Sequence, residues 1–480
     1  MKIPRILIAA LASGSGKTAV SCALMAALQR RGLRVRACKC GPDYIDPMFH
    51  REVLGVDSMN LDLFYCGTEE LRREFARHAS GADITVTEGV MGYYDGRSLD
   101  TDAGSSYDVA KALDIPVIFV INCRGAALSL AALIRGIVEF RDDSNICGIL
   151  LNRVSKTLYP RLKEMLEREL RQYGHEIPVM GYVPEDDAFC LESRHLGLVT
   201  PQELKDLKQQ TERAGEILSE SVDLDGLLKI AETAPRIVPA ENGASDKEDA
   251  VAGGNGTYYA GNANMPVRIG IARDEAFCFY YKANLELLEE TGCELAPFSP
   301  LRDKRLPQGI SGLILGGGYP ELYGDRLSSN RMLLTEIRES VNAGMPCFAE
   351  CGGFMYLHKE MEDEKGNTYP MAGVINGKTY PTGRLVRFGY VSITTDEENS
   401  AYLLPQEKIR GHEFHYWDST DSGDDCMAVK PDGKRKWRCI HMNGNLFAGY
   451  PHLYLPSMPG FARRFADRCR KWDQRRDVGK

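Results

Sequence analysis

Ile6-Leu7-Ile8-Ala9-Ala10 runs through Leu11 and Ala12 into Ser13-Gly14-Ser15-Gly16-Lys17-Thr18, and Ala19 to Gln29 then reads as a helix. An apolar strand that empties into a Gly/Ser-rich turn and re-enters a helix points successive backbone N–H groups at one spot. The helix N-terminus adds partial positive charge there. Gly14 and Gly16 let backbone approach a phosphate with no Cβ in the way. With Ser15 they form a cradle. Lys17 is expected to reach the terminal phosphates of a nucleoside triphosphate, and the Thr18 hydroxyl to ligate Mg2+. The full phosphate-loop pattern asks for Gly at the place of Leu11, so the loop departs from it at one position.

Outward from this loop, two more strands end near carboxylates. Cys38-Lys39-Cys40-Gly41-Pro42-Asp43-Tyr44-Ile45-Asp46-Pro47 follows a strand over Arg34 to Lys39, and Asp83 to Gly89 is a third strand that carries Glu88 at its end. Ligands gather at the carboxyl ends of strands in an open parallel sheet. Asp43 and Glu88 are therefore expected beside the phosphate loop, as hard oxygen ligands for Mg2+. Asp95, Arg97 and Asp102 continue the polar stretch after Glu88, either lining a substrate pocket or as solvated loop residues. Ile146 to Leu151 is a later strand that delivers Asn152, an amide suited to a base edge or to a helix cap.

A second constellation lies far downstream. Leu313-Ile314-Leu315 enters Gly316-Gly317-Gly318-Tyr319-Pro320-Glu321, and Pro346 to Ala349 delivers Glu350-Cys351-Gly352-Gly353 before a helical run from Phe354. A cysteine on a sharp strand-to-helix elbow is a candidate nucleophile, with a thiol pKa expected to be lowered by the helix N-terminus. The N–H groups of Gly317, Gly318 and Gly352 are candidates for an oxyanion hole. The base is expected to be a histidine from elsewhere in the chain, with His452, His412 and His415 as rivals.

The chain has 480 residues and a net charge of −8. That length accommodates two cores. No basic run is long enough to suggest nucleic acid. No apolar run approaches the roughly 20 residues of a membrane span. The residues after Met1 enter a strand directly, so no secretory leader is expected. The fourteen cysteines show neither metal-clamp nor disulfide-framework spacing, which points to a reducing cytoplasm. Strands and helices alternate throughout, which reads as α/β with mostly parallel sheets. The clearest break is 235–266, polar and Gly-rich and expected as a flexible linker. It separates residues 1–234, an ATP-binding part, from 267–480, the thiol part.

The two constellations together resemble the cobyrinate a,c-diamide synthase family of cobalamin biosynthesis. Lys39 to Asp46 looks like that family's Lys-x-Gly-Pro-Asp-Tyr-Ile-Asp signature. Glu88 to Gly96 and Glu192 to Leu198 resemble its second and third signatures. Gly316 to Glu321 and Gly411 to Tyr416 resemble its C-terminal half. The resemblance implies two doubly wound α/β domains, P-loop NTPase-like (similar to dethiobiotin synthetase and the partitioning ATPases) followed by class I glutamine amidotransferase-like. It carries the glutaminase cysteine onto Cys351 and the activating histidine onto His452. Ordinary class I members have a glutamate two residues after that histidine; the cobyrinate branch typically lacks it, Tyr454 stands there, and what orients His452 stays open.

The expected activity is ATP- and glutamine-dependent amidation of a corrinoid's a and c acetate carboxylates. ATP converts the carboxylate to an acyl phosphate, and L-glutamine supplies ammonia. Tyr44, Asp46 and Asp95 are candidate substrate contacts. Relatives that amidate nickel-sirohydrochlorin or hydrogenobyrinate share the architecture, and homodimerisation is open. A partitioning-type ATPase switch shares the first half, but has no need of the Cys351 elbow. Dethiobiotin-type carboxylation needs no amidotransferase half.

Overall fold

The computed structural model describes residues 2–191, 201–237, 266–398 and 400–478. The chain divides into two compact units, Met1–Glu241 and Asn242–Lys480. Most of the linker expected over 235–266, and the whole run from Glu192 to Leu198, lie outside the described residues.

The first unit alternates strand and helix: β1 (Arg5–Ala10), α1 (Lys17–Arg30), β2 (Val35–Cys40), α2 (Ile45–Glu52), β3 (Ser58–Leu61), α3 (Thr68–His78), β4 (Ile84–Glu88), α4 (Ser106–Ala112), β5 (Val117–Asn122), α5 (Ser129–Glu139), β6 (Ile146–Asn152), α6 (Tyr159–Gln172), β7 (Val179–Val183), α7 (Pro201–Ser221) and α8 (Leu224–Glu232). Its sheet has the order β3-β2-β4-β1-β5-β6-β7, and every pairing is parallel. β1 is buried along its whole length, as a central parallel strand covered on both faces must be. Ile6, Ile8 and Ala10 pack with Val20, Leu24 and Leu28 of α1. Leu7 and Ala9 face the other layer, with Leu71 and Phe75 of α3. The strand over Asp83 to Gly89 is fourth in the chain rather than third, because the short edge strand β3 precedes it. The polar stretch from Leu204 to Ala231 is divided between two helices, α7 and α8. Asp223 breaks it by capping α8, its carboxylate accepting from Gly226 N–H at 2.9 Å.

The second unit begins with β8 (Val267–Ala272), α9 (Lys282–Glu290), β9 (Cys293–Phe298), β10 (Gly312–Leu315), α10 (Gly324–Ser329), α11 (Arg331–Asn342), β11 (Cys347–Glu350) and α12 (Gly352–Leu357). It continues with β12 (His358–Glu362), β13 (Thr368–Pro370), β14 (Ile375–Pro381), β15 (Arg387–Thr394), β16 (Ile409–His415), β17 (Trp417–Ser419), β18 (Cys426–Val429), β19 (Lys436–Cys439), β20 (His441–Asn443), β21 (Leu446–Gly449), β22 (His452–Leu453) and α13 (Pro459–Val478). The central sheet runs β20-β21-β11-β10-β8-β9 and is parallel except for the edge pair β20–β21. Two further sheets, β13-β12-β14-β17 and β19-β18-β15-β16-β22, are largely antiparallel. The last of them carries His452. No helix among the described residues is long and apolar enough to cross a membrane.

Arg5 ties the lower end of the first sheet together. It is fully buried, and its guanidinium donates to Leu113 O, Ile3 O and Pro235 O, each at 2.9 Å. Burial lowers its pKa to about 10, which leaves it charged at neutral pH. Arg5→Leu removes the donors and strands three carbonyls in an apolar setting. The expected cost is on the order of 3 kcal/mol or more, read from the first transition in urea denaturation of the full chain. A loss below about 1 kcal/mol would mean that water re-satisfies those carbonyls.

Candidate active sites

The phosphate-type loop forms because Gly14 and Gly16 both take the left-handed backbone region, at φ 78° and 97°. Gly16 also leaves no room for a side chain: a Cβ there would lie 2.3 Å from Asn152 Nδ2. The Asn152 amide donates to Ser15 O at 2.8 Å, so it holds the loop from the end of β6. Lys17 starts α1 and folds back across the loop, donating to Ala12 O at 3.0 Å and Met91 O at 2.5 Å. Burial, followed by the nearby Lys39 charge, lowers its pKa to about 8. Leu11, where the usual pattern has Gly, is exposed.

Three strand ends meet beside this loop. The Thr18 hydroxyl donates to Glu88 Oε1 at 2.6 Å. Lys39, whose position in the sequence gives no hint of this role, is buried between Glu88 Oε1 at 2.7 Å and Asp46 Oδ2 at 2.6 Å. Burial alone would lower the Lys39 pKa, but Glu88 and Asp46 outweigh it and hold the ammonium charged. Burial raises the Asp46 pKa to about 6, with Glu88 repulsion adding to it. Glu88 is held below the carboxylate range despite its burial, by Lys39 and His50. Glu88 Oε2 lies 3.6 Å from His50 Nε2, too far for a hydrogen bond, and has no hydrogen-bond partner among the described residues. Asp43 Oδ1 accepts from the N–H groups of Ile45 and Asp46 at 2.8 and 3.0 Å, where it caps the start of α2. Tyr44 is half-buried at that helix start. Asp95 is exposed at the loop surface and accepts from Gly92 N–H at 2.8 Å.

In the second unit, Cys351 sits between β11 and α12 with φ 46° and ψ −106°. This strained, non-glycine left-handed conformation turns the strand sharply into the helix. Its N–H donates to Gly449 O at 2.8 Å. The elbow is compressed against β10: a Cβ on Gly353 would lie 2.0 Å from Leu315 O. The Gly316–Gly318 loop bridges the elbow and the histidine. Gly317 lies so close to His452 that a Cβ on it would meet His452 Cε1 at 2.3 Å, and one on Gly352 would lie 3.1 Å from Gly318 N. Gly317 O accepts from Phe279 N–H at 3.0 Å, whereas Gly318 N–H enters no backbone hydrogen bond among the described residues. Gly352 N–H faces the Cys351 sulfur.

All three histidine rivals lie in this region. His452 is directly opposite His412 across the β16–β22 pair, so the two side chains share a face. His415 is stacked on Tyr450 at 3.9 Å between ring centroids, with Nδ1 2.6 Å from Trp417 O. His452 alone of the three packs against Gly317. Its strand is clamped from two sides. Glu350 Oε1 accepts from Leu453 N–H at 2.7 Å. Asn284 donates to Leu453 O at 2.7 Å and accepts from Leu455 N–H at 2.8 Å.

The electrostatics reverse one expectation. Burial pushes the Cys351 thiol well above its usual range, and Glu321, Glu350 and Glu413 add to this against the single Gly352 N–H. The six-residue helix α12 does not offset that sum. Burial lowers His452 to about 3, with His412 and His415 contributing, and raises both Glu321 and Glu350 to about 8. Burial thus favours the neutral forms of the thiol, the imidazole and both carboxyls. Alkylation of Cys351 by iodoacetamide in the ligand-free protein should accordingly climb steadily from about pH 7 to about pH 10. A flat, fast plateau below about pH 8 would instead reveal a preformed thiolate–imidazolium pair, and the neutral assignment would fall.

Comparison with known proteins adds the lineage. Residues 6–199 match the family model described as the CobQ/CobB/MinD/ParA nucleotide binding domain, and residues 268–459 match the CobB/CobQ-like glutamine amidotransferase domain. A cobyrinate a,c-diamide synthase of Caldanaerobacter subterraneus subsp. tengcongensis is 40% identical over 96% of this chain and 98% of its own. One from Clostridium acetobutylicum is 40% identical over 94% of this chain and 97% of its own, and one from Picrophilus torridus is 38% identical over 98% and 99%. With both halves matched in order, and relatives aligned along almost its whole length, the chain belongs to the cobyrinate a,c-diamide synthase family.

Proposed function

We propose that the protein uses ATP and L-glutamine to amidate the a and c acetate carboxylates of cobyrinate. The observation that carries this reading is the coexistence, on one chain of that family, of a Gly-Lys-Thr loop backed by Glu88 and a cysteine elbow backed by His452. A nucleotide switch has no use for the second, and an isolated glutaminase has none for the first.

Ammonia generation falls to the second unit. Cys351 Sγ attacks the glutamine carboxamide carbon while its proton passes to the unprotonated nitrogen of His452, in step with the attack because the buried imidazole does not hold a proton on its own. The oxyanion that forms is met by the N–H groups of Gly318 and Gly352, with Gly317 as a further candidate. His452 returns the proton to the departing ammonia, leaving a thioester that water hydrolyses to glutamate. Glu350 and Asn284 act as positioning residues, since both grip the backbone just beyond His452.

Activation falls to the first unit. A carboxylate oxygen is a poor leaving group, and phosphorylation by ATP makes it a good one. The loop amides from Gly14 to Thr18, with Ser15 among them, cradle the phosphates. Lys17 swings from its carbonyl partners onto the triphosphate. Asn152 holds the loop and lies at a strand end suited to the nucleotide base. Thr18 Oγ1 and Glu88 are oxygen donors of the kind Mg2+ takes, with Asp43 the third candidate; the ion supplies charge neutralisation on the phosphates. Tyr44, Asp46 and Asp95 are the candidate acceptor contacts, Asp46 acting from beneath through its pairing with Lys39. The setting proposed for the enzyme is the cytoplasm, with a homodimer among the assemblies that solution scattering would distinguish.

The decisive experiment supplies cobyrinate, hydrogenobyrinate and nickel-sirohydrochlorin side by side with ATP, Mg2+ and glutamine, and scores amide products by mass. Cobyrinate diamide is the expected product. Cys351→Ala should lose glutamine-dependent turnover entirely and retain turnover with high ammonium chloride. Loss of both activities in a folded variant contradicts separable sites. Lys17→Ala should lose both, because activation precedes either nitrogen source. The Lys17 pKa of about 8 adds a pH signature. Triphosphate favours the charged lysine, so ATP affinity is constant below about pH 8 and falls above it, where binding takes up a proton. Calorimetry in buffers of different ionisation enthalpy reads that uptake directly, and its absence at about pH 9 would remove Lys17 from the phosphate contacts.

A further inference from the structure

Glu321 ends the run that begins at Gly316, and the fold brings it to the Cys351 elbow. Tyr319 N–H donates to Ala276 O at 3.0 Å, and the chain then makes a short 3-10 turn over Pro320–Tyr323. The Pro320 ring packs on the elbow itself: a Cβ on Gly352 would lie 2.8 Å from Pro320 Cδ. Glu321 is the next residue, close enough to act on the sulfur. Three carboxyls do so, Glu321 the most strongly, then Glu350 and Glu413. They are not equivalent. Glu350 is buried, and its Oε1 is committed to Leu453 N–H at 2.7 Å. Glu413 is buried, with Oε2 3.7 Å from His415 Nε2. Glu321 is only half-buried, so a ligand can reach it. Among the described residues its carboxyl takes no hydrogen bond or ion pair from another residue, and it accepts only from its own backbone N–H. Tyr450 supplies an independent sign. Its hydroxyl is buried with no hydrogen-bond partner among the described residues, and it interacts with both Cys351 and Glu321. An unpaired buried hydroxyl is costly, and one beside a reactive sulfur marks a place that a polar ligand completes.

A primary carboxamide presents the same atoms to Cys351 whatever stands at the other end of its chain. What separates L-glutamine from other primary amides is its α-ammonium and α-carboxylate. A cation that enters a pocket lined by carboxyls and poor in water needs one of them as an anion. Glu350 is engaged and Glu413 is buried against His415, so the task falls to Glu321. We propose that the Glu321 carboxylate binds the α-ammonium of L-glutamine and thereby sets the carboxamide carbon against the Cys351 sulfur. The ammonium restores the ionised state that burial disfavours, and the acid's proton passes to solvent. Recognition and alignment come from one contact, because Pro320 ties Glu321 to the same elbow that holds the nucleophile. This rests on the functional reading above and names the residue that selects its nitrogen donor. It also gives the acid at the end of the Gly316–Glu321 run a use, since an oxyanion hole requires backbone N–H groups alone.

The test uses the full chain with saturating ATP, Mg2+ and cobyrinate, and compares L-glutamine with glutaramate, which lacks only the α-ammonium. Glutaramate is scored as a substrate, by release of glutarate, and as a competitive inhibitor of glutamate release. Glu321→Gln should lower kcat/KM for glutamine at least about thirtyfold, chiefly through KM, and leave both glutaramate values where they are. Glu321→Asp keeps the charge on a shorter stem and should recover part of the loss. Turnover with ammonium chloride and KM for ATP should match wild type in both variants, since neither uses the glutamine pocket. An unmoved glutamine KM in Glu321→Gln overturns this proposal and leaves the functional reading intact. An equal loss on glutamine and glutaramate also overturns it, and makes Glu321 a structural support of the elbow. A wild type that releases no glutamate from glutamine overturns the functional reading, and this proposal with it.

Discussion

Lys39 is the residue on which the nucleotide end of the first unit depends. It is almost fully buried, and its ammonium touches carboxylates from two other elements, Glu88 at the end of β4 and Asp46 in α2. Without that cation, two buried carboxylates would face each other across an apolar layer, and at least one would have to take a proton. A buried ionic cluster of this kind adds little net stability compared with well-packed apolar groups. What it gives is register. It locks β2, β4 and α2 in one arrangement and presents Glu88 Oε1 to the Thr18 hydroxyl at 2.6 Å. The phosphate loop is thus held from below by charge, and from the side by the Asn152 amide on Ser15 O.

The second unit solves the opposite electrostatic problem. Cys351, His452 and Glu350 are buried like Lys39 and Glu321 is half-buried, yet no opposite charge offsets that burial. Burial therefore drives each of them toward its neutral form: the thiol upward, His452 downward, Glu321 and Glu350 upward. Geometry rather than charge positions them. Cys351 is fixed by a strained elbow, and His452 by the Gly317 backbone on one side and by the Glu350 and Asn284 clamp on its own strand. A glutamate two residues after His452 is not required for this. The clamp comes instead from Glu350, beside the nucleophile in sequence, and from Asn284 on α9, and it acts on backbone rather than on the imidazole.

The sequence made some of this legible and hid the rest for identifiable reasons. Continuous apolar runs such as Ile6 to Ala10 and Leu313 to Leu315 mark parallel strands, because a strand covered on both faces has no polar side to show. Strand, Glu-Cys-Gly-Gly and helix in that order revealed the elbow, since Gly353 leaves no room for a side chain against Leu315 O. The role of Lys39 was not legible: its partners lie in other elements, and only the fold brings them together. Asp43 and Asn152 are at the strand ends where sequence put them, but the backbone groups they bind, in α2 and in the phosphate loop, depend on turns that spacing does not specify. The thiol is pushed up rather than down, which was hidden because sequence shows the helix N-terminus and not the burial of the sulfur, to which the surrounding carboxyls add. The two smaller sheets of the second unit were missed for a different reason. Their strands are half-exposed and lack the unbroken apolar runs of the central sheet, so nothing in the local pattern separated them from loops.

A neutral resting thiol bears on how the two halves are kept in step. A thiolate standing ready at neutral pH would hydrolyse glutamine whenever it bound, and would be open to oxidation between turnovers. With the sulfur protonated and His452 unprotonated, reaction requires that proton transfer and attack on the amide carbon occur together. That is favourable only when the developing oxyanion has its N–H donors in place. On the proposed mechanism the barrier depends on the Gly317–Gly318 loop, which lies against His452 and Gly352 and is stitched to the segment around Phe279. In a chain whose other unit must first activate a carboxylate, a glutaminase whose rate is set by backbone donors rather than by a standing charge is one whose ammonia release can be made to wait.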